Sequence, residues 1–537
     1  MGTTGDSGVE VAVIETPTLG DRTYLAHDGD VAVVIDPQRD FDRVLAQAAA
    51  RGVRIAHVLE THLHNDYVTG GLALARAAGA SYYVSAADDV AFGRVPVNDG
   101  DVIEAGPQMR VRALATPGHT FTHLSYVLET AGRPLAVFTG GSLLYGTTGR
   151  PDLLGPAHTP ELARAQYASA HRLAAGLPDD TGVYPTHGFG SFCSATPAQG
   201  TSSTIGRERQ INPVLTSDEQ RYVSDLLAAL DVFPAYYAHM GPANAAGPPG
   251  PDLTPPARAD AAGLRQRIDA GEWVVDLRSR RAFAAGHLAG ALSFGLDGSF
   301  ATYLGWLIPW GTPLTLLGDT PEEVATAQRE LVRIGIDRPA AAATGGPADW
   351  ARGQPLRSFP VADFAALEAV RSDRPVALLD VRRDREWAES HIEGAVNIPL
   401  HELAGRLREV PNESEPVWVH CHSGYRAAAG ASILDVAGRA VVVVDDDFDA
   451  AARAGLPLAG NGAGLAGPEP RWWRPARRAA SPGRAARWGR GRRNARFLSA
   501  ARDAGRLHLG PLTARVTQPT PLVGGGAAPD PGRLAFP

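Results

Sequence analysis

Over the first 245 residues, short apolar runs alternate with polar loops. Residues 23–37, TYLAHDGDVAVVIDP, place two apolar runs around His27-Asp28-Gly29-Asp30, which predicts a hairpin. Residues 54–61, RIAHVLET, predict a short buried strand ending in a polar loop. Residues 67–80, YVTGGLALARAAGA, change to helical spacing. MRVRALATPGHT (109–120) and PLAVFTGG (134–141) each predict a buried strand that runs into a Gly-containing loop, and functional loops gather at such strand ends. A Pro/Gly/Ala-rich stretch at 241–260 predicts a linker.

Two similar units follow and read as an internal repeat. The first contains WVVDLRSRRAFAAGHLAGALSF (273–294), the second ALLDVRRDREWAESHIEGAVNIPL (377–400). Each has an apolar strand, Asp-x-Arg, an aromatic residue and His-(Leu/Ile)-x-Gly-Ala. Strand–helix alternation over roughly a hundred residues per unit implies a parallel α/β sheet. The expected division is 1–245 for a first domain, 246–258 for the linker, and 259–355 and 357–460 for the two units. The Arg/Gly/Pro-rich remainder, 462–537, lacks periodicity and is read as a disordered tail.

Composition narrows the class. A chain of 537 residues exceeds one ordinary core. An apolar fraction of 44% with 20% charged residues is that of a globular protein. No apolar run reaches the ~18 residues of a membrane span, and MGTTGDSGVEVAV lacks the regions of a secretory signal. The expectation is therefore a soluble cytoplasmic protein with no membrane partner. All 51 basic residues are arginine, the usage of a GC-rich bacterial genome, so arginine richness argues little for phosphate binding. Ten of these arginines fall in 471–496 with no acid among them, leaving an acidic body that disfavours a nucleic-acid partner. Two cysteines, Cys193 and Cys421, exclude a disulfide framework and make each a candidate reactive thiol.

VWVHCHSGYRAAAGASIL (417–434) sends an apolar strand into Cys421 and a short loop that closes at Arg426, where a helix begins. A loop at a helix N-terminus aims backbone N–H groups inward. Those donors, the helix dipole and Arg426 would favour a thiolate and hold an anionic persulfide. Cys-x4-Arg after a strand, with the upstream LLDVRRDREWAESHIEGAVNIPL, resembles the rhodanese family. The resemblance implies that Cys421 is the sulfur-carrying nucleophile and that His422, Ser423, Gly424, Tyr425 and Arg426 cradle the substrate, while Asp380 and Arg382 are structural. Cysteine phosphatases use a related loop one residue longer, so the spacing favours sulfur transfer. In the first unit, PLTLLGDTPEEVATAQRELVRIGI (313–336) has Gly318 or a neighbour where the cysteine should stand. Its expected role is an interface or a channel wall.

ETHLHNDYVTGG (60–71) places His62, His64 and Asp66 on a strand-to-helix loop, a spacing suited to one metal. TPGHT (116–120) adds His119, FTGGSLLYG (138–146) follows, and YPTHGFGS (184–191) adds His187. Together these resemble the metallo-β-lactamase superfamily, which implies an αββα sandwich ahead of two rhodanese-like parallel α/β domains. Within it the motifs resemble persulfide dioxygenases. That implies oxidation of glutathione persulfide, or a related low-molecular-weight persulfide, to sulfite with O₂ and one Fe(II). The implied ligands are His62, His119 and an acid at position 141. Two positions depart from the pattern. Tyr67 replaces a second-metal histidine, and Gly141 replaces the aspartate of the two-His-one-carboxylate triad. His62, His64 and His119 can still form a three-His site, with Asp66 and His187 as further candidates. One divalent metal, Fe(II) or Zn(II), weakly held, is expected.

Arg150 in GRPD matches a family arginine; it either clamps an anionic thiol or ties its loop to Asp152. Cys193 either relays a persulfide or packs as a small hydrophobe. The leading reading is persulfide processing, with thiols, persulfides and thiosulfate as small-molecule partners and a homo-oligomer left open. The alternatives are a thioester hydrolase of the glyoxalase II type, and a metal-free scaffold attached to a sulfur carrier.

Overall fold

The computed structural model describes residues 8–411 and 416–460, so the Arg-rich tail lies outside the described residues. Glu10–Thr16 (β1), Asp21–His27 (β2), Val31–Ile35 (β3), Arg54–Leu59 (β4), Ser81–Ser85 (β5) and Val95–Val97 (β6) form one six-stranded sheet in that order. The predicted hairpin is β2–β3, with Tyr24 opposite Ile35. Val102–Gly106 (β7), Met109–Ala115 (β8), Leu124–Thr130 (β9), Arg133–Gly140 (β10), Gly182–Pro185 (β11) and Ser203–Thr204 (β12) form a second sheet, ordered β12-β11-β10-β9-β8-β7. Inward residues of the two sheets share a core, Tyr24, Val33, Ile35 and Leu59 meeting Val111, Tyr126, Leu128 and Phe138. Helices Asp42–Arg51 and Gly71–Ala78 cover the first sheet. Helix Thr159–Gly176 covers the second, which completes an αββα sandwich.

Trp273–Asp276 (β13), Leu292–Ser293 (β14), Leu314–Gly318 (β15) and Ala341–Thr344 (β16) form a parallel sheet ordered β14-β13-β15-β16. Val361–Ala362 (β17), Leu378–Asp380 (β18), His391–Ile392 (β19), Val396–Asn397 (β20), Val417–His420 (β21) and Val441–Val444 (β22) follow. Of these, β17-β22-β21-β18-β20 make a second parallel sheet, while β19 pairs with Leu458–Ala459 (β23). The sequence repeat is a structural repeat. Asp276 holds Arg278 at 2.6 Å and Asp380 holds Arg382 at 2.7 Å, all four side chains buried. His287 stacks on Phe283 at 3.9 Å, and His391 on Trp387 at 3.7 Å.

The Pro/Gly-rich stretch differs from the predicted linker. Helix Tyr237–Ala246 enters it despite Gly241 and Pro242. The extended part beyond is pinned, with Gln328 donating to the Thr254 carbonyl and Arg338 paired with Asp252. One apolar cluster runs through all three units and includes Tyr67, Tyr236 and Met240 of the first, Phe300, Leu304 and Leu331 of the middle one, and Leu379 and Leu400 of the last. Arg333–Asp40 (2.7 Å) and Arg280–Asp445 (2.6 Å) tie the middle unit to its two neighbours. No helix among the described residues is long and apolar enough to cross a membrane.

Candidate functional site

Five histidines gather at one end of the sandwich. His62 and His64 follow β4, His119 and His123 lie in the turn between β8 and β9, and His187 follows β11. All five are buried. Hydrogen bonds fix which nitrogens carry protons. The Thr61 hydroxyl donates to Asp36 Oδ2 (2.7 Å), so it accepts from His62 Nδ1 (2.9 Å), and the His62 Nε2 lone pair faces the cluster. His119 Nδ1 donates to the Arg150 carbonyl (2.8 Å), which leaves Nε2 a buried acceptor without a partner. His123 Nε2 already accepts from the Gly141 N–H (3.1 Å). His187 Nδ1 lies 2.9 Å from Asp21 Oδ1 and 3.1 Å from Asp66 Oδ2, and its Nε2 lies 3.3 Å from His62 Nε2.

The charges follow from this geometry. Burial and the neighbouring histidines hold His62 well below its ordinary pKa, and burial with His187 lowers His119 to about 3. Both rings are therefore neutral donors. Burial would also lower His187, but Asp66 and Asp21 override it and raise the ring to about 10. Asp21 is itself raised to about 7 by burial and by Asp66. His64 turns Nε2 to Asp36 and Glu60, each at 3.3 Å, and these carboxylates outweigh burial to bring it to about 9. Its Nδ1 is unpartnered.

Ligand atoms of His62, His64 and His187 lie within 4.8 Å of one another, as do those of His119, His187 and Cys193, and those of Asp21, Asp66 and His187. His187, a subsidiary candidate in the sequence, is common to these three; a fourth group, Asp36, Glu60 and His64, lacks it. Orphaned nitrogens on His119 and His64, and orphaned oxygens on Asp21 and Asp66, are donors of the kinds that hold a cation. It does not fit a ligand at position 141. A Cβ built on Gly141 would overlap the His119 imidazole, so the ring occupies the space a carboxylate would need. Tyr67 is buried with its hydroxyl 3.0 Å from His64 Nε2 and contributes to the three-unit core instead of to a second metal.

Arg150 is the loop anchor of the two expected roles. It grips Asp152 with two 2.7 Å hydrogen bonds, donates to the Phe192 and Asp231 carbonyls and stacks on Phe233. Cys193 is fully buried in the shared core, and burial pushes its thiol well up, the behaviour of a packed small hydrophobe. Sequence reasoning missed His123, Asp21, Asp36 and Glu60. Of these, only His123, four residues after His119 in HTFTH, carried a visible motif.

In the last unit β21 delivers Cys421 into a loop that closes on helix Tyr425–Val436. The Gly424 N–H donates to Cys421 Sγ at 3.1 Å. Gly424 has φ +89, and a Cβ there would collide with Asp445, so the loop requires glycine. Arg426 does not face open solvent. It makes a bidentate pair with Glu386 at 2.6 and 2.7 Å. Tyr425 donates to the Gly295 carbonyl of the middle unit (3.0 Å), and Arg280 reaches the Ser423 carbonyl (3.5 Å). The His422 carbonyl accepts from Phe448. Cys421 is 1% exposed, in a loop that the unit without a cysteine contacts through Gly295 and Arg280.

An αββα sandwich with a buried histidine–carboxylate cluster, joined to a parallel unit with a cysteine loop, defines a candidate metal centre coupled in one chain to a candidate sulfur-transfer site. Residues 19–187 match the Metallo-beta-lactamase superfamily, and residues 364–454 match the Rhodanese-like domain. The chain is 32% identical to Persulfide dioxygenase ETHE1, mitochondrial, of Homo sapiens over 41% of its own length and 82% of the relative. It is 36% identical to a hydroxyacylglutathione hydrolase of Polaromonas sp. over 29% of its length, spanning 57% of that hydrolase. A solved metallo-beta-lactamase from Staphylococcus aureus superposes with TM-score 0.56 at 27% identity, covering 63% of this chain and 99% of that one. The chain belongs to the metallo-β-lactamase superfamily and carries a C-terminal rhodanese-like domain. Its relatives are enzymes, among them persulfide dioxygenases.

Proposed function

We propose that the protein processes sulfane sulfur, with Cys421 as the transferring nucleophile and the histidine cluster as an oxidising centre for a low-molecular-weight persulfide. The observation that carries this is Cys421 in a loop whose Gly424 N–H points at Sγ, in a chain that also covers most of a persulfide dioxygenase. The Cys421 thiolate attacks the outer sulfur of thiosulfate, the S–S bond breaks, sulfite leaves, and Cys–S–S⁻ remains beside the helix N-terminus. An acceptor thiolate then takes the outer sulfur and restores Cys421. Arg426, fixed by Glu386, supplies positive charge at the edge of the loop.

In the first domain, His62, His119 and His187 with Asp66 would hold one divalent metal, whose role when bound is to supply redox chemistry with dioxygen. Thr61 and the Arg150 carbonyl hold His62 and His119 in the tautomers that present Nε2. Asp21 and Asp66 orient His187. A thioester hydrolase is the second reading, favoured by the 36% identity to a hydroxyacylglutathione hydrolase. Tyr67 and Gly141 weigh against it, because each removes a ligand that a two-metal site requires. Elemental analysis combined with O₂ uptake on glutathione persulfide and hydrolysis of S-lactoylglutathione separates the two. One metal with persulfide-dependent O₂ uptake supports the oxidising centre. Two metals with thioester turnover would replace it.

A further inference from the structure

The middle unit has no cysteine, yet one of its arginines reaches the loop that carries Cys421. Arg280 opens helix Arg280–Ala285 and crosses to the last unit. Its Nε donates to Asp445 Oδ1 (2.6 Å), its Nη2 reaches the Ser423 carbonyl (3.5 Å), and its Nη1 turns back to Asp297 Oδ2 of its own unit (2.8 Å). One guanidinium thus ties the middle unit to Ser423, inside the loop, and to Asp445, just beyond β22. Asp445 Oδ1 and Arg280 Nε both crowd the place where Gly424 would carry a Cβ, and the Gly424 N–H is the one that donates to Cys421 Sγ. Farther along the same helix, the Ser293 N–H of the middle unit donates to Ser432 Oγ (3.0 Å). The scaffold itself does not call for an arginine at this position. The repeat has Asp384 there, and that side chain is exposed.

We infer that Arg280 is a positioning residue for Cys421, supplied by the unit without a cysteine: it holds Ser423 and Asp445 so that the Gly424 N–H stays aimed at sulfur. This rests on the sulfur-transfer reading of Cys421 above. A hydrogen bond weakens steeply as its donor turns away, and a thiolate is favoured only by donors that stay aligned. Gly424 sits at φ +89 with no side chain of its own to lock it, so the aim of its N–H depends on what holds its neighbours. Arg280 does this from outside the unit. It also offsets the buried Asp445 carboxylate, which would otherwise oppose a thiolate beside it. Arg281 shares that second task, pairing with Asp445 Oδ2 (2.5 Å) from a side chain that is 73% exposed. The remaining charged pair at the loop is Arg426 with Glu386.

The test is the pH dependence of Cys421 alkylation by iodoacetamide in the full-length protein, with the label located by mass spectrometry so that Cys193 is counted apart. Thiosulfate:cyanide turnover is measured alongside. Arg280→Gln is expected to move the alkylation midpoint up by roughly half to one pH unit, because the thiolate loses an aligned donor and a nearby cation. It should lower kcat about ten-fold with little change in KM, the pattern of an interaction that matters in the transition state. Arg280→Lys is the milder change and keeps the charge without the fork that spans two acceptors, so its midpoint should fall between those of Arg280→Gln and the parent. Arg281→Gln removes the same charge from Asp445 without the tie to Ser423 and should move the midpoint by less than half as much. Equal shifts in Arg280→Gln and Arg281→Gln, or a parental midpoint in both Arg280 variants, overturn the proposal. A parent protein that does not turn over thiosulfate would sink the proposed function instead, and the alkylation midpoints would still decide the role of Arg280.

Discussion

The middle unit and the rhodanese-like unit have the same scaffold and differ in the loop that follows one matching strand. Strand β21 leads into Cys421, and the parallel strand β15 leads into Gly318. In the rhodanese-like unit the loop turns the Gly424 N–H toward sulfur. In the middle unit the equivalent N–H groups are already taken, Asp319 N donating to Glu323 Oε2 (2.7 Å) and Glu323 N to the Thr320 hydroxyl (3.2 Å). Acidic side chains thus stand where an anion would bind. The loss extends further. Glu386, which fixes Arg426, corresponds in the repeat to Ala282, so nucleophile, arginine and arginine holder are all absent from the middle unit. The Asp-x-Arg pair and the stacked histidine remain in both units. The proposed function predicts that what both retain serves the fold and that what only one retains serves the reaction.

Substitutions can break or sharpen this division. The largest effect is expected at Cys421. Cys421→Ser should lower thiosulfate:cyanide turnover by about three orders of magnitude or more, since no second nucleophile stands in the loop. Cys193→Ser should leave most of that turnover in place. Residual activity in Cys421→Ser, measured by thiocyanate formation, would move the chemistry to Cys193.

The next effect bears on stability and should be similar in both units. Asp276→Asn and Asp380→Asn each strand a buried arginine, at a cost of about 3–5 kcal/mol. Denaturant midpoints would check this. A loss of turnover in Asp380→Asn without a loss of stability would reassign that pair to the reaction.

A smaller effect depends on pH and belongs to one unit alone. Burial would raise Glu386, but Arg426 and Arg383 hold its carboxyl down at about 2. A depressed acid stabilises the fold fully above its unfolded pKa, near 4.5, and that contribution fades as pH falls toward about 2; it amounts to at most about 3 kcal/mol. Glu386→Ala should flatten stability against pH between those limits. An unchanged acid limb would mean that the pair contributes nothing. The smallest expected effect is none: Gly318→Cys should not create a second sulfur-transfer site, because Asp319 and Glu323 oppose a thiolate there. Measurable turnover from a Gly318→Cys, Cys421→Ser double variant would show that the cysteine alone was missing.

Much of this was legible in the sequence, for physical reasons that can be named. The strand-end histidine motifs resemble the metallo-β-lactamase superfamily, which implied the sandwich, and Cys-x4-Arg between a strand and a helix pointed to the loop. Asp21, Asp36 and Glu60 were not legible, because a single acid at a strand end looks like a solvated residue until tertiary structure buries it. Helix Tyr237–Ala246 was hidden because Gly241 and Pro242 read as breakers, and its burial of Tyr237 and Met240 overrides their poor propensity. The tie between Arg280 and Asp445 was invisible because 165 positions separate them in the chain.

Gly141 has a consequence for how this domain can change over time. The His119 ring occupies the space that a side chain at 141 would need, so an acid cannot enter there by one substitution while the ring stays where it is. The order of replacements matters, because the ring has to move before the acid is tolerated. A single Gly141→Asp substitution therefore probes epistasis in this domain, and its first expected result is disturbed packing around His119.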